Sequence, residues 1–224
     1  MKKTLFAFCS LFLLFCFAAC SEDDEVGYNA YGNWPELNMQ WFGGISAQAR
    51  AEIAKAKAAY GDQWEENCPW RVVCRTDYGK CSSATDSVVL RMVRLGSGER
   101  PYFNDSVLIH YRGWLCPTRY MIDDKDTTYA AVFDQSFYGK YAVDCMDEFD
   151  DATATPVQSC VKRYVTGFAS ALQHMHEGDQ AHIYIPCNLA YGLSDEAGVP
   201  VGSALHFFVS LVGVYPVGTT VPKY

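Results

Sequence analysis

The stretch Ile185-Pro186-Cys187-Asn188-Leu189-Ala190-Tyr191-Gly192 decides the reading of this chain. The residues before it, Gln180 to Ile185, read as a strand. After it come Gly198-Val199-Pro200 and a second strand, Leu205 to Val214, which opens with Leu205-His206-Phe207. Upstream, Val165 to Met175 is the clear helix of the region. Gly167 near its start leaves room for close backbone packing, and Glu177-Gly178-Asp179 is the turn that leads back to strand. Further upstream, Val88 to Val93 is rich in β-branched and apolar residues. Gly96-Ser97-Gly98 is a turn between strands. Asp105, the strand Val107 to Trp114 and the block Val132-Phe133-Asp134-Gln135-Ser136 follow. The elements imply an α+β domain, an antiparallel sheet curled around a single helix.

Taken in order, these blocks resemble the FKBP-type peptidyl-prolyl cis-trans isomerases, from about Val88 to Val214. The resemblance implies an FKBP-like antiparallel half-barrel wrapped around one short helix, here with an N-terminal helical extension. It also implies prolyl isomerisation of proline-containing polypeptides, with no cofactor. By the same resemblance Tyr111, Phe133 and Phe207 are the walls of a proline pocket. Phe168 is its floor, at a position where many family members carry Trp. Val165 would offer its backbone N–H, and Tyr191 its hydroxyl, to substrate carbonyls. Asp134 lies at the rim. Val199 caps the pocket, and Ala190 and Tyr164 complete the substrate contacts. Tyr164 stands where a smaller aliphatic is common, and Val157 is the candidate for a flap position that is usually aromatic.

These residue types suit the reaction. Amide resonance sets a rotation barrier of roughly 18–20 kcal/mol. The planar ground state is the more charge-separated form and is better solvated by water, so a dry apolar pocket favours the twisted form. Each 1.36 kcal/mol of such preference is worth about tenfold in rate. Aromatic walls and a few fixed hydrogen bonds are required, and no nucleophile. Two other readings of the same residues stay open. One is an FKBP-like module that binds without turnover. The other is a structural surface lipoprotein assembled through its cysteines and N-terminal helix.

The N-terminus reads as a targeting segment. Lys2 and Lys3 precede a run from Leu5 to Ala19 that is apolar apart from Ser10, too short and too terminal for an ordinary spanning helix. Phe17-Ala18-Ala19-Cys20 resembles a lipoprotein cleavage box, so residues 1–19 are expected to be removed and Cys20 lipidated. That anchors the chain to a bacterial membrane, the outer one by expectation, facing periplasm or cell surface. The acidic run Ser21-Glu22-Asp23-Asp24-Glu25 opens a tether over residues 20–42. Residues 43–86 form the helical extension. Within it Ser46 to Tyr60 is expected to be helix, capped by Ser46 and stopped by Gly61, with Ile45, Ala49, Ile53, Ala56 and Tyr60 on one face. This helix either packs on its own domain or makes a homodimer. Residues 87–224 are the FKBP-like domain, with insertions near 116–131 and 138–155.

Without the two leader lysines, 16 basic residues face 26 acidic ones. No basic stripe interrupts this, so nucleic acid is excluded as a partner. No C-x-x-C occurs. The cysteines after Cys20 (Cys68, Cys74, Cys81, Cys116, Cys145, Cys160 and Cys187) are odd in number, and in an exported chain most of them are expected to be paired. His174 and His176 flank Met175 at a helix end, where i and i+2 do not share a face, so no metal site is read there. The lipid expectation is open to test: mass analysis of the membrane fraction should find diacylglycerol on the Cys20 thiol. A Cys20→Ser chain that stays equally membrane-bound would contradict it.

Overall fold

The computed structural model describes residues 33–75, 84–122, 125–137, 155–194, 196 and 198–222. The leader, Cys20, the acidic run and most of the second insertion lie outside the described residues. Nine strands are found among them: β1 Trp70–Cys74, β2 Ser87–Arg94, β3 Ser106–Leu115, β4 Thr118–Ile122, β5 Lys125–Tyr129, β6 Val132–Gln135, β7 Val157–Cys160, β8 Gln180–Ile185 and β9 Leu205–Tyr215. The helices are α1 Trp34–Tyr60, α2 Trp64–Asn67 and α3 Thr166–Leu172. The main sheet runs β1-β2-β8-β9-β3-β6, and β7 shares the free edge of β3 with β6. Every pairing is antiparallel. Hairpin β4–β5, the first insertion, is a separate two-stranded unit.

Alternation sorts the strands into two faces. Ala181, Ile183 and Ile185 of β8 and Leu205, Phe207, Val209 and Leu211 of β9 point inward with Val88, Leu90, Val107 and Ile109. There they meet Phe168, Ala169, Ala171 and Leu172 of α3 in the main core. This is the sheet wrapped around one helix that the sequence implies, although α3 stops at Leu172 rather than Met175. His174 and Met175 close its end by donating their N–H groups to Ala171 and Leu172. Asp105 ties the entry to this helix. Its backbone carbonyl accepts from Val161 N–H at 3.0 Å, and its carboxylate accepts from Tyr102 and Val217 N–H at 2.8 and 3.2 Å.

The outer face is covered as well, which a half-barrel around one helix does not require. Val89, Tyr184, Trp70 and Val72 pack under Trp41, Phe42, Ala49 and Ala56 of α1. Farther along the sheet, Trp114 and Phe208 pack with Ala130 and Phe137. A buried pair, His182 Nδ1 and His206 Nε2, lies between these patches at 3.0 Å, with the His206 ring stacked between Tyr184 and Trp114. Burial, then the His182 neighbour, holds His206 well below the usual imidazole value.

Two expectations for the N-terminal part are corrected. Helix α1 begins at Trp34, with Pro35 in its first turn, and runs 27 residues. Residues 34–42 are therefore helix and not tether. Ser46 is not a cap: it is buried in mid-helix, and its hydroxyl has no hydrogen-bond partner among the described residues. Pro35 is tolerated because it stands in the first turn, and Gly43 and Gly44 lie within the helix. The two glycines cost about 1 kcal/mol each relative to alanine. Burying Trp34 and Phe42 offsets this at about 1.5–3 kcal/mol for a side chain of that kind. Gly61 does end the helix, at φ 55° and with its N–H on Lys57 O. Tyr60 at the end of the expected face is 51% exposed.

The cysteine expectation is corrected too. Cys74 is disulfide-bonded, but Cys68, Cys116, Cys160 and Cys187 are free thiols. Cys68 and Cys116 are buried and behave as small apolar residues. Burial pushes the Cys116 thiol up to about 12, so it carries no thiolate near neutrality. A thiol count on the denatured, unreduced chain should therefore find these four free groups or more. A count below four would contradict the structure.

Candidate active site

Phe207 is the hub of an aromatic cluster on the inner face. Its ring lies 4.8 Å from Phe168 and 5.4 Å from Phe133, both edge-on, and 6.3 Å from Tyr111. Three separate elements bring these rings together. Tyr111 comes from β3, Phe133 from β6 and Phe168 from the first turn of α3, while Phe207 sits in β9. Edge-on contacts at these distances are favourable beyond area alone, by about 0.5–1.5 kcal/mol each. The structure gathers these four residues, which the resemblance names as walls and floor, into one cluster.

One member of the arrangement was missed. Gly113 lies opposite Phe207 in the β3–β9 ladder and opposite Asp134 in the β3–β6 ladder. A Cβ there would meet Phe133 Cζ and Phe207 Cε1, each at 2.7 Å. The rings can close over β3 only because Gly113 has no side chain. The glycine stands in the Val107–Gly113 block, but its role depends on two rings distant in sequence. Gly167 plays the expected part under the helix: its Cβ would strike Ile185 Cγ2 at 2.3 Å.

Polar groups surround the cluster unevenly. The Tyr111 hydroxyl donates to Asp134 Oδ2 at 2.8 Å. Burial, then that hydrogen bond and the charge of Asp134, raise the Tyr111 phenol well above the usual value. Asp134 is exposed at the rim and is held by this bond, so Tyr111 is engaged before any ligand arrives. Tyr191 differs. Its hydroxyl makes no hydrogen bond among the described residues, and burial with the nearby Asp134 and Glu196 raises its pKa. Tyr191 is delivered by the tight turn after β8, where the N–H groups of Ala190 and Gly192 both meet Cys187 O, at 3.0 and 2.8 Å. Val165 precedes α3 in an extended conformation, φ −55° and ψ 150°. Its N–H has no acceptor among the described residues. Two donors, one phenolic and one backbone, are thus left for a ligand. Val199 is buried in the same core as Phe168 and Phe207, its N–H on Glu196 O at 2.9 Å. Val157 is half-buried on β7 opposite Ile109.

Tyr164 packs its ring on Phe168 at 4.8 Å. Its hydroxyl is enclosed and unpartnered among the described residues. Burial lifts this phenol to about 12; Ser159 pulls the value back and Asp134 adds a smaller push. Ser159 is close enough to act on it, but its own hydroxyl is turned to Cys160 O at 3.4 Å and no hydrogen bond of acceptable geometry forms. Among the described residues no group of three or more His, Cys, Asp or Glu side chains is placed to hold a metal ion. Two cavities flank α1: one of about 580 Å³ against Pro117, Thr118 and Thr128, and one of about 750 Å³ against Pro186, Cys187 and Asn188.

The model of the FKBP-type peptidyl-prolyl cis-trans isomerases matches residues 98–212, just over half of the chain and the segment that carries almost all of this cluster. The chain belongs to that family. An FKBP-type peptidyl-prolyl cis-trans isomerase, FkpA of Escherichia coli strain K12, is 26% identical over 172 residues, 77% of this chain and 53% of that protein. The macrophage infectivity potentiator of Trypanosoma cruzi is 31% identical over 129 residues, 57% of this chain and 53% of that one. The chain spans about half the length of the curated relatives it matches. Among solved structures, FkpA from Escherichia coli is similar at 25% identity and a TM-score of 0.41, covering 83% of this chain and 73% of that one. A peptidyl-prolyl cis-trans isomerase from Pseudomonas syringae is similar at 19% identity and a TM-score of 0.43, over 75% of this chain and 92% of that one. Superposition is loose at such scores, and membership in the FKBP family rests on the sequence match.

The Tyr164 hydroxyl gives a stability test. Its pKa is raised on folding from near 10 because burial penalises the ionised form, so the fold is unaffected by this group below pH 10 and loses stability as pH climbs from 10 through about 12. Tyr164→Phe keeps the ring and removes a buried group with nothing to bond. Thermal unfolding at pH 7 should be unchanged or higher, and the alkaline loss of stability above pH 10 should be shallower than in the wild type. A melting temperature several degrees lower at pH 7 would show that the hydroxyl is bonded after all.

Proposed function

We propose that this chain is a peptidyl-prolyl cis-trans isomerase that acts, without a cofactor, on proline-containing polypeptides outside the cytoplasm. The observation that carries the reading is the ring cluster centred on Phe207, with two unused hydrogen-bond donors beside it. A proline ring would sit against Phe207 and Phe133, with Phe168 beneath it and Val199 above. Tyr191 Oη–H and Val165 N–H would hold the carbonyls that flank the twisting bond. Tyr111, engaged by Asp134, would supply a wall and not a donor. Exclusion of water from such a pocket favours the transition state, in which amide resonance is lost.

Export and the lipid anchor rest on the leader and Phe17-Ala18-Ala19-Cys20, and with them the role of assisting folding of exported proteins. A homodimer through α1 would have to use the exposed side of that helix, where Met39 lies 63% exposed, because Trp34, Phe42, Ala49 and Ala56 are buried. The departures at Tyr164 and Phe168 favour a second reading, a module that binds prolyl segments without turning them over.

A prolyl-isomerisation assay with several residues tested before proline separates the two. Phe168→Ala should lose activity severely, and at about 3–5 kcal/mol for a buried ring its folding must be followed alongside. Tyr191→Phe keeps the ring and should cost on the order of 1 kcal/mol in transition-state binding, a modest fall. Asp134→Asn should fall between them, because it weakens the acceptor that orders Tyr111. A wild type with no acceleration over the uncatalysed rate on any peptide would replace the enzyme reading by the binding module.

A further inference from the structure

We propose that the first turns of α1 position the loop that closes the proline pocket, with Trp34 and Asn38 as positioning residues; the inference rests on the isomerase reading above. Three contacts join α1 to the segment Gly198–Ala204. The Trp34 indole N–H donates to Ser203 Oγ at 2.8 Å, and that hydroxyl donates onward to Pro200 O at 2.6 Å. Asn38 Oδ1 accepts the Ala204 N–H at 2.9 Å, while its own amide nitrogen donates to Trp34 O at 2.8 Å. Pro35 packs on Gly202, which has φ +81° and whose Cβ would fall 2.7 Å from Pro35 Cγ. Gly202 therefore answers to two demands, a left-handed turn and the close approach of α1.

These contacts are placed where they act on the pocket. Pro200 follows Val199, the cap. Ala204 precedes Leu205, where β9 begins, and Phe207 is the third residue of that strand. Trp34, Val199, Leu205 and Phe207 all belong to the one core that includes Phe168. Trp34 is 3% exposed and Asn38 is fully buried. A buried amide with both of its ends bonded specifies one arrangement, because any other leaves polar groups unpaired. Among the described residues from Glu196 to Ala204 the backbone makes short-range bonds of its own and the bond from Gly202 N–H to Gly192 O, 3.0 Å. The side chains of α1 supply the rest. The N-terminal extension thereby becomes part of the active site without touching substrate.

The test compares Trp34→Phe, Ser203→Ala, the double variant, and Asn38→Ala in the full chain, at temperatures where circular dichroism shows each folded. Trp34→Phe removes the indole N–H and keeps most of the ring. KM for prolyl peptides should rise roughly fivefold in each single variant, the scale of one lost hydrogen bond, with kcat changed less. The double variant should be no worse than Ser203→Ala alone, because the Trp34–Ser203 bond is already lost there. Amide exchange at Ser203 and Ala204 should speed up in parallel. Ala56→Gly weakens the same helix far from the loop and should lower the melting temperature with KM unchanged. Single variants that keep the wild-type KM, or an Ala56→Gly chain whose KM rises as much, would overturn the proposal. Peptide binding followed by NMR reads the loop without turnover. A wild type that binds but does not isomerise defeats only the isomerase reading, and Trp34 or Asn38 variants that bind as tightly as the wild type defeat this one.

Discussion

Gly113 faces Phe207 across the longest ladder of the sheet, and the register of that ladder sets the rest of the site. Ten residues of β3 pair with β9, from Ser106 opposite Tyr215 to Leu115 opposite Leu205. A slip by one residue would turn every inward side chain outward. It would also carry Phe207 from the one position on β3 that has no Cβ. The bulge between Leu108 and Ile109 lies toward the other end of the ladder, away from the rings. Strand β6 then pairs Gly113 with Asp134, which brings the carboxylate to the Tyr111 hydroxyl. One backbone register thus sets Tyr111, Phe207 and Asp134 relative to one another and opens the gap into which the rings close.

The phenols show how similar groups are set to different tasks by their surroundings. Tyr111, Tyr164 and Tyr191 all titrate above their ordinary range, with burial as the leading cause in each. All three stay neutral at any physiological pH and contribute as dipoles and ring faces. Their partners separate them. Tyr111 is bonded to Asp134, whereas among the described residues the Tyr164 hydroxyl is enclosed without a partner and the Tyr191 hydroxyl makes no hydrogen bond. A phenol that is committed to a carboxylate cannot donate the same proton elsewhere. That constraint distinguishes Tyr191 from its neighbours more sharply than position along the chain does.

The sheet is buried on both faces, and the outer layer changes what the N-terminal part is for. A helix laid over Val89, Tyr184 and Trp70 buries aromatic area that an isolated half-barrel would leave in water. The same helix reaches Ser203 and Ala204 with its first turns. Stability and loop geometry are therefore supplied by one element. The buried His206 marks the cost of this arrangement, since burial in such a layer disfavours its charged form.

Sequence alone determined the strands at Val88, Val107, Gln180 and Leu205, the helix at Gly167-Phe168 and the aromatic residues that meet around Phe207. Those features are written in local periodicity, in turn residues and in blocks whose spacing resembles a family. Tyr111, Phe133, Phe168, Tyr191 and Phe207 were legible for that reason. The tether ending at residue 42, the capping role of Ser46 and the pairing of most cysteines were not legible correctly. Each depends on what covers a surface distant in the chain. Residues 34–42 read as tether until the aromatic outer face of the sheet stabilises helix across them. Cys68 and Cys116 read as disulfide partners until burial shows them to be packing residues. The use of Gly113, the unpartnered Tyr164 hydroxyl and the grip of Trp34 and Asn38 on the closing loop were decided only by tertiary structure. They are relations between side chains up to 169 positions apart, and no local pattern encodes the distance at which two such groups meet.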